Sequence, residues 1–414
     1  MIIIHGVNNP HDLISRHLTS VLDRHLRSMP VVVMTGARQT GKSTLAQFLL
    51  HQDRIYHTLD DLDALELVGS NPGGLIGDRP VTIDEVQRMP ELLLSVKRSV
   101  DADRVAGRFL LTGSANLLLM QRVSEPLAGR ASYLTLRPCT RGELSGLPPS
   151  LWTQLQQVED REWQAVIQDS ARPAARWAAV ARRGGFPTPA LGSEEHGAAS
   201  PWYQGYIRTY LERDLQDLSS ISSLVDFRRL MRLVAARTGQ IQNQSNLARD
   251  LGMAQPTVHR YLNLLETSYM LVRLPAYTAN RGKRLIKSPR IYWGDTGLGL
   301  HMSGSPDPTG AHLENLILLD LLTSQDCYNQ INQLYYWRTT TGQEVDFVIE
   351  GLDGRLMPIE VKATAKPRLG HCRGLNAFLD EYGKLCRSAL LLHAGSETRW
   401  LTPRILATPW WAVA

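Results

Sequence analysis

The chain has 414 residues, 43% apolar and 21% charged, which excludes a disordered protein and is too long for one ordinary core, so two or three domains are expected. A formal net charge of +5 is mild and permits nucleic-acid binding without requiring it. Cys139, Cys327, Cys372 and Cys386 are scattered with no Cys-x-x-Cys pair, no apolar run reaches about 18 residues, and Met1–His5 is too short for a signal peptide; a cytoplasmic protein with neither disulfide framework, zinc cluster nor membrane span is expected.

Val31–Met34 reads as a buried strand running into Gly36, then Gly41, Lys42 and Ser43, then the apolar start of a helix at Leu45. This is G-x-x-x-x-G-K-[ST] in its strand–loop–helix setting. A loop around a polyphosphate turns successive N–H groups inward, which needs glycine where other residues do not fit. The expected nucleotide contacts are Gly36, Arg38, Gln39, Thr40, Gly41, Lys42, Ser43 and Thr44. Lys42 would reach the β- and γ-phosphates and the Ser43 hydroxyl would ligate Mg²⁺.

Val81-Thr-Ile-Asp84-Glu85 is a second strand, ending in two carboxylates. Asp84 suits Mg²⁺ binding through its water shell, and Glu85 suits a general base for the attacking water; the alternative is an acidic pair that caps a strand. Phe109–Thr112 is a third buried strand, with Thr112, Ser114 and Asn116 as candidates to sense the nucleotide; Ser114 is carried as a nucleotide contact and the choice stays open. Arg130, after Gly129, is either a cation for transition-state charge, in cis or from a neighbouring subunit, or a solvated surface arginine.

Residues 145–175 and 188–202 read as connections around a lid-like helical region. Tyr203–Leu218 is a helix candidate whose Arg208, Arg213 and Asp214 form a structural ion-pair network or a nucleotide-sensing surface. Phe227–Thr238, Gln244–Gly252 and Ala254–Glu266 have the helix–glycine turn–helix pattern, followed by a hairpin with limbs Met270–Tyr277 and Leu285–Trp293, a winged helix-turn-helix. Seven basic residues, Arg260, Arg273, Arg281, Lys283, Arg284, Lys287 and Arg290, stand there against one acid, Glu266. Arg260, Arg281, Lys283, Arg284 and Lys287 are the expected DNA phosphate contacts, and Gln255, Thr257 and His259 could reach base edges. A protein-docking module is the alternative.

Residues 302–310 read as a linker, and His312–Leu322 as a helix carrying Glu314. Strands at Tyr335–Arg338, Glu344–Ile349 and Met357–Lys362 bring Asp346 and then Glu360-x-Lys362, the arrangement of PD-(D/E)XK nucleases. Alternation sets Glu360 and Lys362 on one face. Asp346, Glu360 and Glu314 would hold Mg²⁺, with Lys362 orienting the nucleophile or stabilising the transition state. His371, Cys372 and His393 lack ligand spacing.

The chain resembles a family of bacterial and archaeal AAA-type ATPases with the P-loop G-x-R-Q-x-G-K-[ST], through Gly36–Ser43, Thr112–Ser114, Leu127–Arg130, Gly184–Pro187 and Tyr210–Leu215. The resemblance implies an α/β multidomain protein: an AAA-type ATPase core over 1–145, a helical lid over 146–225, a winged helix-turn-helix over 226–300 and a restriction-endonuclease-like α/β domain over 301–414. It also implies ATP as the nucleotide and a homo-oligomer, with a ring or hexamer open. The expected function is ATP-driven DNA processing or repair with Mg²⁺-dependent cleavage; the alternative is a nucleotide-gated switch or scaffold that cuts nothing.

Overall fold

Apolar runs without alternation, at Val31–Thr35 (β1), Val81–Asp84 (β3) and Phe109–Thr112 (β4), are buried at every position. Strands covered on both faces read this way in parallel sheets. Together with Ile55–Thr58 (β2) and Ala131–Thr135 (β5) they form an all-parallel sheet ordered β2-β3-β4-β1-β5. The computed structural model describes residues 13–48, 54–71, 73–113, 127–192, 199–209, 221, 223–280, 287–305, 307–328 and 331–414. Ser114, Asn116, the segment Tyr210–Leu215 and the hairpin-tip cations Arg281, Lys283 and Arg284 lie outside the described residues.

Helix α1 (Leu18–Ser28) covers one face of this sheet, burying Leu18, Val21, Leu22 and Leu26 against Val32, Met34 and Leu110. The opposite face is closed by Leu92, Leu93, Val96 and Val100 of the helix Leu92–Ala102.

The middle of the chain holds three helices, Leu224–Ala236, Gln244–Leu251 and Gln255–Thr267, and then the antiparallel pair Leu271–Leu274 (β6) and Arg290–Trp293 (β7). The Asn243 side chain caps the second helix by accepting from the N–H groups of Ser245 and Asn246, and Gly252 ends it in the left-handed region. Pro256 sits in the first turn of the third, where no N–H is missed.

The C-terminal sheet is mixed: Ile331–Arg338 (β8), Glu344–Gly351 (β9) and Leu356–Lys362 (β10) form an antiparallel meander, to which Ala389–His393 (β11) and Ile405–Pro409 (β13) add in parallel and Arg399–Thr402 (β12) closes the edge. The helix Gly310–Cys327 packs over it, with Leu313, Ile317, Leu318 and Leu321 fully buried.

Two expected boundaries do not match the packing. Residues 151–180, read as part of a lid, belong to the C-terminal core: Leu151, Trp152, Leu155, Trp163 and Ile167 cluster with Ile317, Phe347 and Trp410. The Trp152 indole donates to Asp320 at 2.5 Å, and Arg387 donates to the carbonyls of Leu155, Gln156 and Val158. Likewise residues 302–310 do not space apart independent bodies. The helix Thr296–Ser303 runs into them, and Asn315 brackets Trp293 with two hydrogen bonds, 3.2 and 2.8 Å.

Candidate functional site

The nucleotide site lies at the C-terminal ends of β1, β4 and β3. Gly36 follows β1 with φ +148°, and a Cβ there would lie 2.2 Å from the Leu136 carbonyl oxygen, so only glycine fits. Gly41 has φ +93° and leads into the helix Lys42–Phe48 (α2). The Lys42 ammonium is buried in the loop, donating to the carbonyls of Gly36 at 3.2 Å and Ala37 at 2.7 Å. Burial lowers its pKa to about 8, against the opposing pull of Glu85 and Asp84. Gln39 is exposed with positive φ, Arg38, Ser43 and Thr44 are half-buried, and Thr40 is buried with its hydroxyl on the Ala37 carbonyl.

Strand β4 lies between β1 and β3, so Thr112 stands between the loop and the carboxylate pair. Its hydroxyl donates to Asp84 Oδ1, and the Tyr56 hydroxyl donates to Asp84 Oδ2 at 2.9 Å. Glu85 breaks away from the strand in the left-handed region, φ 57°. It accepts from the Gln87 amide; burial raises its pKa, and Lys42 offsets part of the rise. Ser43 and Asp84 supply hard oxygen donors, which fit Mg²⁺.

Three contributors carried no sequence signal. The buried Arg16 guanidinium donates to the carbonyls of Thr40 at 2.8 Å and Arg137 at 2.5 Å and pairs with buried Glu143 at 3.1 Å, tying the loop to the end of β5. Tyr56 reaches Asp84 from β2. Tyr269, at the end of the third middle helix, places its hydroxyl 2.7 Å from that of Thr35, the residue before Gly36.

Arg130 stands elsewhere. It precedes β5, and the parallel register sets Ala131 beside Val31, so Arg130 lies at the edge of the sheet opposite the P-loop. There it pairs with Asp101 at 2.5 Å. A role in cis toward its own nucleotide does not follow from this position.

In the C-terminal domain the antiparallel register pairs Ile359 with Phe347, which brings Glu360 opposite Asp346. Lys362 Nζ donates to Glu360 Oε1, and Asp346 Oδ2 accepts from the Val361 N–H at 2.9 Å. Glu314 Oε2 accepts from the Tyr292 hydroxyl at 3.0 Å. Burial and the nearby Asp346 charge raise the pKa of both Glu314 and Glu360. For Lys362 burial opposes the charge, and Glu360 and Asp346 outweigh it, so its pKa rises.

The expected Mg²⁺ set Glu314, Asp346 and Glu360 does not fit this arrangement. Arg290, from β7, donates to Asp346 Oδ1 at 3.0 Å and to Glu344 Oε2 at 2.7 Å, and lies 3.9 Å from Glu314. Among the described residues no group of three or more His, Cys, Asp or Glu is placed to hold a metal ion. Arg290, counted in sequence among the basic residues of the hairpin, is thus an internal counter-ion. Arg273 is similarly engaged, at 3.2 Å from Glu266 and 2.8 Å from Asn263 Oδ1. Of the expected DNA contacts that are described, Arg260 and Lys287 are exposed.

The fold and the nucleotide-site residues define an AAA-type P-loop ATPase domain, joined to a C-terminal sheet domain. Residues 28–145 match the model of an AAA domain, and residues 175–309 and 309–413 match two domains of unknown function. Two proteins described as uncharacterized, Rv2008c of Mycobacterium tuberculosis and Mb2031c of Mycobacterium bovis, are each 32% identical over 411 residues, covering 95% of this chain and 83% of their own length. This chain belongs to their family. Similar solved structures include the Walker-type ATPase PABY2304 of Pyrococcus abyssi (16% identity, 72% of this chain and 99% of that one, TM-score 0.45). They also include the Holliday junction branch migration motor RuvB of Thermotoga maritima (19% identity, 68% and 98%, TM-score 0.30). No described helix is long and apolar enough to cross a membrane.

Proposed function

We propose that the chain hydrolyses ATP and passes its nucleotide state to a winged helix that holds DNA. The observation that carries hydrolysis is the convergence of Lys42, Thr112, Asp84 and Glu85 at three adjacent strand ends. Lys42 leaves the Gly36 and Ala37 carbonyls for the β- and γ-phosphates. Ser43 and Asp84 would hold Mg²⁺, which neutralises phosphate charge. Glu85, with its proton affinity raised by burial, takes a proton from water as the water oxygen bonds to the γ-phosphorus and the bond to the β-phosphate oxygen breaks. Thr112 orients Asp84. Arg130 acts, on this reading, toward a neighbouring subunit of a homo-oligomer.

Contact between the P-loop and the middle segment supports transmission: Ala37 shares a core with Phe186, Tyr206 and Leu230, and Thr35 meets Tyr269. Arg260 and Lys287, with Arg281, Lys283 and Arg284, would neutralise DNA phosphates. A second reading, DNA cleavage in processing or repair, is favoured by the meeting of Asp346, Glu360 and Lys362 on one sheet face, and it requires Arg290 to leave Asp346 before Mg²⁺ can enter.

The test measures ATP binding and turnover, with and without duplex DNA. Glu85→Gln is expected to keep ATP and lose turnover by about 100-fold or more; retained turnover would assign the base elsewhere. Neutralising the five cations is expected to weaken DNA binding and flatten its salt slope, and an unchanged slope removes the winged helix as the DNA contact.

A further inference from the structure

The C-terminal centre gathers Glu314, Glu344, Asp346 and Glu360 around two cations, Lys362 on Glu360 and Arg290 between Asp346 and Glu344. Arg290 and Asp346 have side chains only 5% exposed, and they come from different parts of the chain, the hairpin strand β7 and the sheet strand β9. The guanidinium is fixed on two sides: one fork meets Asp346 and Glu344, and its plane lies over the Tyr336 ring, 5.2 Å from the centroid. Asp346 therefore has both oxygens engaged, one by Arg290 and one by the Val361 N–H. Glu360, by contrast, keeps a buried oxygen, Oε2, with no hydrogen-bond partner among the described residues.

A divalent ion needs several oxygens at about 2.1 Å and repels a guanidinium sharing its carboxylate, strongly where water is excluded. We propose that Arg290 is a tethered counter-ion that keeps divalent cations out of a latent site built from Glu314, Asp346 and Glu360. The unpartnered Glu360 oxygen is the part of that site left unsatisfied when arginine replaces the ion. Arg290 comes from β7 of the hairpin, and the hairpin is tied to β8 by the Tyr277 N–H on the Tyr336 carbonyl and the Tyr336 N–H on the Pro275 carbonyl. The guanidinium is thus held in place from outside the sheet strands that carry Asp346 and Glu360. The proposal rests on the centre that the cleavage reading uses and names what must leave it before Mg²⁺ can enter.

Full-length, nucleotide-free protein is titrated with Mn²⁺, and the free ion is read by electron paramagnetic resonance. Wild type and Asp346→Asn are expected to bind alike. Arg290→Met is expected to gain one site at least ten-fold tighter than any in wild type, and adding Asp346→Asn should abolish it. A wild-type site lost in Asp346→Asn overturns the proposal, as does a folded Arg290→Met that gains nothing. Should Arg290→Met not fold, Arg290→Gln, which keeps a donor beside Asp346 without the charge, takes its place with the same expectations. A parallel cleavage assay on linear, single-stranded and four-way-junction DNA with Mg²⁺ separates the two claims. An Arg290→Met protein that binds Mn²⁺ but cuts no more than Asp346→Ala ends the cleavage reading and leaves the counter-ion standing. A wild type that binds at Asp346 and cuts ends the counter-ion instead.

Discussion

At the scale of single residues, Lys42 shows how the loop prepares for its anion. Its ammonium is held away from water by two carbonyls, and that burial lowers its pKa to about 8. A polyphosphate favours the protonated form, so binding above about pH 8 takes up a proton. The sign follows: ATP affinity holds below that pH and falls above it, by up to roughly ten-fold per unit. Calorimetry at pH 8.5 in buffers of different ionisation enthalpy is expected to show proton uptake, absent in Lys42→Met, whose residual affinity stays flat with pH. Affinity in the wild type that is level from pH 7 to 10 would contradict this.

At the scale of elements, the passage from the third middle helix to β6 is where nucleotide and hairpin meet. Tyr269 closes that helix with φ 60°, uncommon for a non-glycine residue and worth about 1–3 kcal/mol of strain. Its carbonyl oxygen would be only 2.0 Å from a Cβ on Gly294, so β7 presses against the same turn. Tyr269→Phe removes the hydroxyl contact to Thr35 and little else. We expect near-normal ATP turnover without DNA and loss of any DNA-dependent change in turnover; a variant indistinguishable from wild type in both would break the link. The P-loop, the Asp84–Glu85 strand and the two-helix turn were legible in the sequence because each packs its chemistry into a few consecutive residues with its own strand or helix signal. Arg290 was not: its partner Asp346 is 56 residues away, and an arginine in a basic hairpin has no mark of burial. Arg16 and Glu143, Tyr56 and Asp84, and Thr35 and Tyr269 were hidden for the same reason, since periodicity reports a buried face and not what lies across it.

For the whole molecule, the units read from sequence are interleaved. The C-terminal core takes Trp152 and Trp163 from before the middle segment and Tyr292 from the hairpin, and each Trp carries a large apolar area. A fragment of residues 301–414 would leave those contacts open. It is expected to bind hydrophobic dye and melt without a cooperative transition, whereas a fragment of 141–414 should melt cooperatively. A well-dispersed amide spectrum from the shorter piece would refute this.

That interleaving also sets an order of events during synthesis. The parallel nucleotide-binding sheet has all its strands once Thr135 has left the ribosome. Trp152 and Trp163 follow at once, yet the strands β9, β10 and β11 that bury them are made some two hundred residues later, about 10–40 s at ordinary translation rates. Through that interval two large indoles wait for their partners, which makes the nascent chain, more than the finished protein, the form that a holding chaperone would serve.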